Sequence, residues 1–173
     1  MTVIGALDRS HRPALERLLG ATRAFRPDEI AVALELFDET FGSSAGSREV
    51  PDYEFVAAFN DAGSLTGYCC YGATPGTHGT YDLYWIAVDP VCQGAGVGSA
   101  LLAEVERRLQ ERTARLLVVE TSGRDAYDAT RRFYGARGYR VAAQLRDFYA
   151  PADDRLVYTR DLSSSLQPAS RGA

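Results

Sequence analysis

Residues 82–109 read DLYWIAVDPVCQGAGVGSALLAEVERRL, and this stretch decides the fold. Its first part, 83–88, is apolar and rich in aromatic and β-branched residues, which is typical of a buried strand. Asp89-Pro90 ends that strand, because proline cannot donate to a ladder. Glycines at alternate positions follow, and then an amphipathic helix begins. The apolar face of that helix consists of Val97, Leu101, Leu102, Val105 and Leu109.

A glycine-rich turn between a strand and a helix start predicts an anion-binding cradle. Backbone N–H groups converge there, and the helix dipole favours negative charge. Glycine also lets the backbone approach a ligand closely. The residues predicted to form the cradle are Gln93, Gly94, Ala95, Gly96, Val97, Gly98 and Ser99.

The flanking sequence predicts further helices and strands of an α/β domain. Before the central strand we expect a strand at 2–7, helices at 13–22 and from Pro27 to Phe41, a loop at 42–52, and strands at 53–60 and 65–72. After the central helix we expect a strand at 115–121, a helix at 125–137 that Gly138 ends, and strands at 139–150 and 156–162 around a turn at 151–155. The order predicts one parallel crossover inside a mostly antiparallel sheet.

Composition narrows the class of protein. The 173 residues predict a single domain over 1–162 and a disordered tail over 163–173. A net charge of −4 argues against nucleic acid as a partner. No apolar run reaches the ~18 residues of a membrane span, so we expect no membrane partner. Three cysteines, an odd number, indicate a reducing cytoplasm, and two distant histidines without a CxxC motif predict no metal site.

The residues alone leave two other interpretations of the turn open. It is either a tight turn without a ligand or a dinucleotide site, since Gly94, Gly96 and Ser99 nearly fit GxGxxG and Glu120 ends the next strand. Against the dinucleotide site, residues 89–93 separate the glycines from their strand, and hairpins surround the unit.

A resemblance to a known family favours a third interpretation. Gln93, Gly96 and Gly98 match Q/R-x-x-G-x-G/A, the acetyl-CoA motif of the GNAT superfamily of N-acetyltransferases. The preceding VDP and the later FYGARGY at 133–139 also resemble that family, and the resemblance covers about 53–162. It implies a GNAT-like fold: a mostly antiparallel sheet with a splayed parallel strand pair, flanked by about four helices.

The resemblance also implies an activity, an acyltransferase reaction that moves an acetyl group from acetyl-CoA to an amine. The family places the pantetheine arm along the central strand, here Ile86, Ala87 and Val88. Asp82 or Glu120 is expected to act as the general base, and Tyr134 as the general acid. Many members carry Asn seven residues before that tyrosine, where this chain has Tyr127.

The acceptor is expected to be a primary amine of a small molecule such as an amino acid. Acidic residues in the less regular segments suit a cationic or zwitterionic amine. Two alternatives remain: acetylation of a protein N-terminus or lysine, and a sensor module that binds acetyl-CoA without turnover. A second copy of the chain, forming a homodimer, is a further open partner.

Overall fold

The structure, a computed structural model, describes residues 1–42 and 53–163. The helices are α1 (Arg12–Thr22), α2 (Pro27–Phe41), α3 (Val97–Glu111) and α4 (Asp128–Gly135). The strands are β1 (Val3–Gly5), β2 (Glu54–Phe59), β3 (Leu65–Ala73), β4 (Thr80–Val88), β5 (Leu116–Ser122), β6 (Arg140–Ala150) and β7 (Asp153–Asp161). Apart from their first residues, the predicted loop at 42–52 and the predicted tail at 163–173 lie outside the described residues. Within the described part of the chain, no helix has both the length and the apolar character that crossing a membrane requires.

The strands form one seven-stranded sheet in the order β1-β2-β3-β4-β5-β7-β6. Strands β4 and β5 are parallel, and α3 connects them. The pairs β1–β2, β2–β3, β5–β7 and β6–β7 are antiparallel. The predicted fold class, a mostly antiparallel mixed sheet with one parallel pair and about four helices, is confirmed.

The chain divides into two compact units, residues 1–72 with 84–107, and residues 73–83 with the chain from 108 onward. The first unit has an aromatic core beneath α2. The Phe37 ring lies 4.7 Å from that of Phe41 and 5.7 Å from that of Phe55, between centroids. The spacing of Ile30, Leu34 and Phe37 places apolar side chains on one face of α2, as the sequence predicts.

Gly67 of β3 sets how closely α3 approaches the sheet in this unit. A Cβ at Gly67 would lie 3.0 Å from the Ala87 carbonyl oxygen, 3.0 Å from Val97 Cγ1 and 3.1 Å from Leu101 Cδ1. Such contacts are tighter than a side chain normally makes, so the first turns of α3 pack on β3 because this residue has no side chain. The helix start is thereby fixed beside the end of β4.

The second unit is organised by the β4–β5 ladder and a group of tyrosines. The Arg115 N–H donates to the Gly79 carbonyl at 2.7 Å, which aligns the beginnings of the two parallel strands. The Tyr134 ring of α4 lies 5.4 Å from that of Tyr139 and 6.0 Å from that of Tyr158. These three side chains are buried and anchor α4 to β7.

The predicted helix at 125–137 is wrong in its bounds. Its first turn, Asp125–Tyr127, is a 3-10 helix, and α4 ends at Gly135 rather than next to Gly138. Within α4, Tyr134 is the one buried residue. Gly138 still reverses the chain, with φ of +79°, and the Tyr139 N–H returns to the Tyr134 carbonyl at 3.2 Å.

The closing hairpin is also tighter than the sequence predicts. Strand β6 runs to Ala150 and β7 starts at Asp153, so the turn is 151–152 and not 151–155. The polar run Asp153, Asp154, Arg155 belongs to a strand because each of these side chains is bound by a neighbour.

Candidate active site

The chain leaves β4 through a turn whose hydrogen bonds fix the direction of α3. The Asp89 N–H donates to the Thr66 carbonyl at 2.9 Å. The Asp89 carboxylate accepts from the Val91 N–H at 3.0 Å. The Gln93 side-chain amide donates to the Val88 carbonyl at 3.4 Å. These bonds tie the beginning of the glycine-rich turn to the ends of the strands before it.

Two glycines of the turn adopt a left-handed backbone. The φ angles of Gly94 and Gly96 are +77° and +83°, a region that costs an L residue with a side chain roughly 1–2 kcal/mol. A Cβ at either position would meet no atom within 4 Å. The left-handed backbone, and not a lack of space, therefore favours glycine at both positions. A side chain there would project from the open side of the turn, where a bound anion needs close access to the backbone.

The start of α3 presents N–H groups at the same place. Its first hydrogen bond runs from the Ala100 N–H to the Gly96 carbonyl at 3.0 Å. The N–H groups of Val97 and Gly98 precede that bond, and a helix offers no carbonyl to them. The first turn of α3, described throughout, holds no acidic residue, so nothing in it offsets the positive helix end. The Ala95 N–H is used inside the turn, on the Cys92 carbonyl at 3.3 Å.

This geometry fits a diphosphate group. Backbone N–H donors and an uncompensated helix dipole bind such an anion without Lys or Arg. The cradle residues predicted from the sequence, Gln93 through Val97 with Gly98 and Ser99, accordingly lie in one turn and the helical turn that follows it.

The segment predicted to hold the pantetheine arm lies at the end of β4. Ala87 is buried, and Ile86 and Val88 are half-buried. The β4–β5 pairs run from Thr80–Leu116 to Leu83–Val119, although both strands continue beyond them. The ladder between the parallel strands thus ends before Ile86.

The two candidate bases lie on the same face of the sheet. Asp82 stands opposite Val118, and Glu120 follows Val118 by two residues, so both carboxylates project to one side. The Thr74 hydroxyl donates to Asp82 at 2.7 Å between oxygens. Glu120 forms an ion pair with Arg155 and accepts a hydrogen bond from it.

The candidate acid lies on the other face. Tyr134 is 2% exposed and packs against Tyr158, which stands opposite Val119 in the β5–β7 ladder. Since Val119 lies between Val118 and Glu120 in β5, its side chain points away from theirs. The structure therefore brings Asp82 and Glu120 together and places Tyr134 on the opposite side of the sheet.

Sequence reasoning missed two side chains next to Glu120. Arg155 lies in the stretch predicted to be a turn, and its guanidinium carbon is 4.8 Å from the centroid of the Phe148 ring. Phe148 lies in β6 and is 48% exposed. An exposed aromatic residue in a closing strand is a weak signal, and the pairing of Arg155 with Glu120 follows only from the β5–β7 register.

An open cavity of about 520 Å³ lies between α1 and α2. Arg12 forms hydrogen bonds of 2.7 and 2.9 Å with the two carboxylate oxygens of Asp38 there. Glu35 and Glu39 add negative charge to the lining. The lining therefore carries three acidic side chains, those of Glu35, Asp38 and Glu39, and one basic side chain, that of Arg12.

Residues 18–139 match the model of the acetyltransferase (GNAT) family. The chain belongs to this family. The match contains the glycine-rich turn, α3, both candidate bases and Tyr134, and it makes the protein an acyltransferase by family. None of the curated proteins matches the sequence significantly.

Solved structures with the same fold extend over almost the whole chain. A protein of Desulfovibrio desulfuricans described as an acetyltransferase of the GNAT family is 40% identical, with a TM-score of 0.83, and the match covers 94% of this chain and 99% of that one. The ribosomal-protein-S18-alanine N-acetyltransferase of Escherichia coli is 20% identical, with a TM-score of 0.75 and full coverage of both chains. The yncA protein of Salmonella typhimurium, whose structure contains its cofactor acetyl-CoA, is 18% identical, with a TM-score of 0.70 and coverage of 98% and 99%.

A glycine exchange tests the cradle. Gly96→Ala should abolish the rise in melting temperature that acetyl-CoA produces in the wild type, because the added methyl group stands where the backbone must approach the diphosphate. NAD should raise the melting temperature of neither protein. The measurement is thermal unfolding with and without each nucleotide.

Gly63→Ala is the matched control. Gly63 has φ of +75° and, like Gly96, open space around a built Cβ, so the exchange carries the same backbone cost of about 1–2 kcal/mol. It should lower the melting temperature similarly while leaving the acetyl-CoA shift intact. Loss of the shift in both variants would show that strain, not the cradle, accounts for the effect.

Proposed function

We propose that the protein transfers the acetyl group of acetyl-CoA to a primary amine of a small molecule. The observation that carries this is the glycine-rich turn at the start of α3, with its left-handed Gly94 and Gly96, in a chain of the GNAT family. The yncA protein, of the same fold, holds acetyl-CoA. The vicinal cysteines Cys69 and Cys70 are buried and neither forms a disulfide, which supports a reducing compartment such as the cytoplasm.

In this proposal the first unit binds the cosubstrate, which supplies an activated acetyl thioester. Backbone N–H groups between Gly94 and Ser99, other than that of Ala95, bind the diphosphate, and Gln93 orders the turn through Val88. The backbone of Ile86, Ala87 and Val88 pairs with the amide-rich pantetheine arm. Support comes from the β4–β5 ladder, which ends at Leu83 and leaves that edge of the strand to another partner. A backbone N–H at the end of β4 would polarise the thioester carbonyl, a contribution of about 3 kcal/mol.

The transfer forms a carbon–nitrogen bond and breaks a carbon–sulfur bond. The acceptor nitrogen gives up one proton, and the leaving sulfur takes up one. At neutral pH an aliphatic amine is mostly protonated, so it needs a base before it can attack. Asp82 and Glu120 are the candidates, directly or through water, because they share a face and each is at least partly exposed.

Tyr134 is the proposed proton donor to the sulfur. Its hydroxyl sits on a ring fixed by Tyr139 and Tyr158, which holds it in one orientation. An ordered donor loses little entropy when it meets developing charge. Its position on the face opposite the carboxylates separates the acid from the base.

Thiol release from acetyl-CoA across a panel of amines tests the function. We expect turnover with at least one amino acid, polyamine or aminoglycoside, and a mass increase of the acceptor by one acetyl group. Turnover only with peptides bearing a free N-terminus or lysine would make the protein a protein acetyltransferase. Acetyl-CoA binding without any turnover would favour the sensor module.

Charge removal at the two carboxylates tests the base. The variant at the true base, either Asp82→Asn or Glu120→Gln, should lose kcat about 100-fold or more near neutral pH. It should regain activity as pH rises, because the free amine accumulates without help. The measurement is a pH profile of kcat with the best amine. Wild-type profiles in both variants would exclude both residues.

Removal of the Tyr134 hydroxyl tests the acid. Tyr134→Phe keeps the ring and its packing, so acetyl-CoA affinity should be unchanged while kcat falls at least ~10-fold, with water as a substitute donor. Tyr139→Phe is the matched control, since Tyr139 is a buried neighbour in the same group. Equal kcat in the two variants would make Tyr134 a packing residue, and thermal unfolding of both separates lost stability from lost chemistry.

A further inference from the structure

Glu120, Arg155 and Phe148 form a compact group in the second unit, which we name the Arg155 cluster. One Nη of Arg155 donates to the Glu120 carboxylate. The guanidinium carbon lies over the Phe148 ring, 4.8 Å from its centroid. The Arg155 side chain is 29% exposed and that of Glu120 is 38% exposed, so solvent and small molecules reach both charges.

Arg155 is not fully satisfied by this arrangement. Its Nε is buried and has no hydrogen-bond partner among the described residues. A buried donor left unpaired costs about 1–3 kcal/mol. The guanidinium has a planar fork of donors that matches a carboxylate in two parallel hydrogen bonds, and Glu120 takes only one donor. A second carboxylate can pair with the Nη donors of the guanidinium, whereas the buried Nε lies out of its reach.

The hairpin holds the cluster in place through the residues beside it. The Asp147 N–H donates to Asp154 at 2.9 Å, and the Asp147 carboxylate accepts from the Ala152 N–H at 2.6 Å. The Asp147 N–H, and after it the Gln144 side-chain amide, lower the pKa of Asp154 by hydrogen-bonding to its carboxylate. These bonds hold the hairpin at Asp147 and Asp154, the residues that precede Phe148 and Arg155.

The nearest other charges do not compete for Arg155. Asp153 is 5% exposed and lies on the same face of β7 as Arg155. It is already neutralised by Arg124 at 3.0 Å and bound by the Ser122 hydroxyl. The cluster thus offers one positive and one negative group, side by side, to an incoming ligand.

We propose that the Arg155 cluster binds an α-amino acid as the acetyl acceptor. This rests on the proposed function and names its substrate class. Arg155 releases Glu120 and takes the acceptor carboxylate, Glu120 takes the acceptor ammonium, and an apolar or aromatic side chain lies along Phe148. An α-amino acid carries its two charges on one carbon, which matches an adjacent Glu–Arg pair.

Charge balance explains the preference for a zwitterion. The free protein has one ion pair in the cluster, and the complex has two, so no group loses its partner. An amine without a carboxylate draws Glu120 from Arg155 and leaves the guanidinium unpaired. A site that bonds a polar group rejects an analogue that lacks it, because the protein group stays unsatisfied.

Matched acids and amides test this directly. The probes are L-phenylalanine, L-methionine and L-leucine, each beside its primary carboxamide. An amino amide is less basic than its acid and holds more free amine at neutral pH, so chemistry alone favours the amide. We nevertheless expect kcat/KM of the wild type to be at least ~10-fold higher for the acids. This comparison needs no variant and stands whatever a substitution does to folding.

Variants assign the preference to Arg155. Arg155→Gln should remove the preference for acids, mainly through a higher KM for the acid, while Arg155→Lys retains part of it. Arg107→Gln, which breaks an exposed Arg–Glu pair on α3, should leave it unchanged. Phe148→Ala should raise KM for L-phenylalanine more than it raises KM for L-alanine, an added probe whose side chain is too short to lie along Phe148.

The outcomes separate this inference from the proposed function. Equal use of acids and amides, or a preference for acids that survives in Arg155→Gln, overturns the inference and leaves the acetyltransferase function intact. Turnover with other amines, but with neither the amino acids nor their carboxamides, also overturns the inference and leaves the acetyltransferase function intact. No acetyl-CoA binding and no turnover with any amine overturns both.

Discussion

The close approach of α3 to β3 at Gly67 is the constraint on which the cofactor half of the structure depends. Since Gly67 has no side chain, Val97 and Leu101 pack directly against the sheet, next to the Ala87 carbonyl. That contact fixes the helix start relative to the end of β4, and the Asp89–Thr66 hydrogen bond fixes the turn between them. A glycine in one strand thus determines where the N–H groups of another segment point.

The sequence carries this half of the structure well because its signals are local. The spacing of apolar residues predicts α2 and α3, and the glycines at 94 and 96 predict a turn whose left-handed angles only glycine adopts readily. The wrong bounds of the closing hairpin arise where the local sequence pattern does not match the strand. The stretch Asp153, Asp154, Arg155 is polar like a turn, yet it is a strand because Arg124, Asp147 and Glu120 bind its side chains. Such partners are set by the β5–β7 register, which no short window of sequence contains.

The same limitation applies to the candidate site. Asp82 and Tyr134 were predicted from alignment with a family pattern, and Glu120 from its place at the end of β5. None of these signals indicated that the carboxylates share a face while the tyrosine lies on the other. The alternation of side chains along β5 determines which face each residue lies on. Val119 stands opposite Tyr158, so the neighbouring Val118 and Glu120 point to the other face. Arg155 was not predicted at all, because its contact with Glu120 follows from the β5–β7 register and not from its place along the chain.

The division between the two faces has a chemical consequence for the proposed reaction. A tyrosine hydroxyl beside a carboxylate would donate to it, since a charged acceptor forms the stronger hydrogen bond. Such a pair would turn the proposed proton donor away from the sulfur of the cosubstrate. Placing Tyr134 behind the sheet, against Tyr158, prevents this contact. Thr74 and Arg155 occupy the carboxylates on the other side, and neither can serve as an acid for the sulfur from there. The separation therefore keeps the proposed proton donor from hydrogen-bonding to either of the proposed proton acceptors.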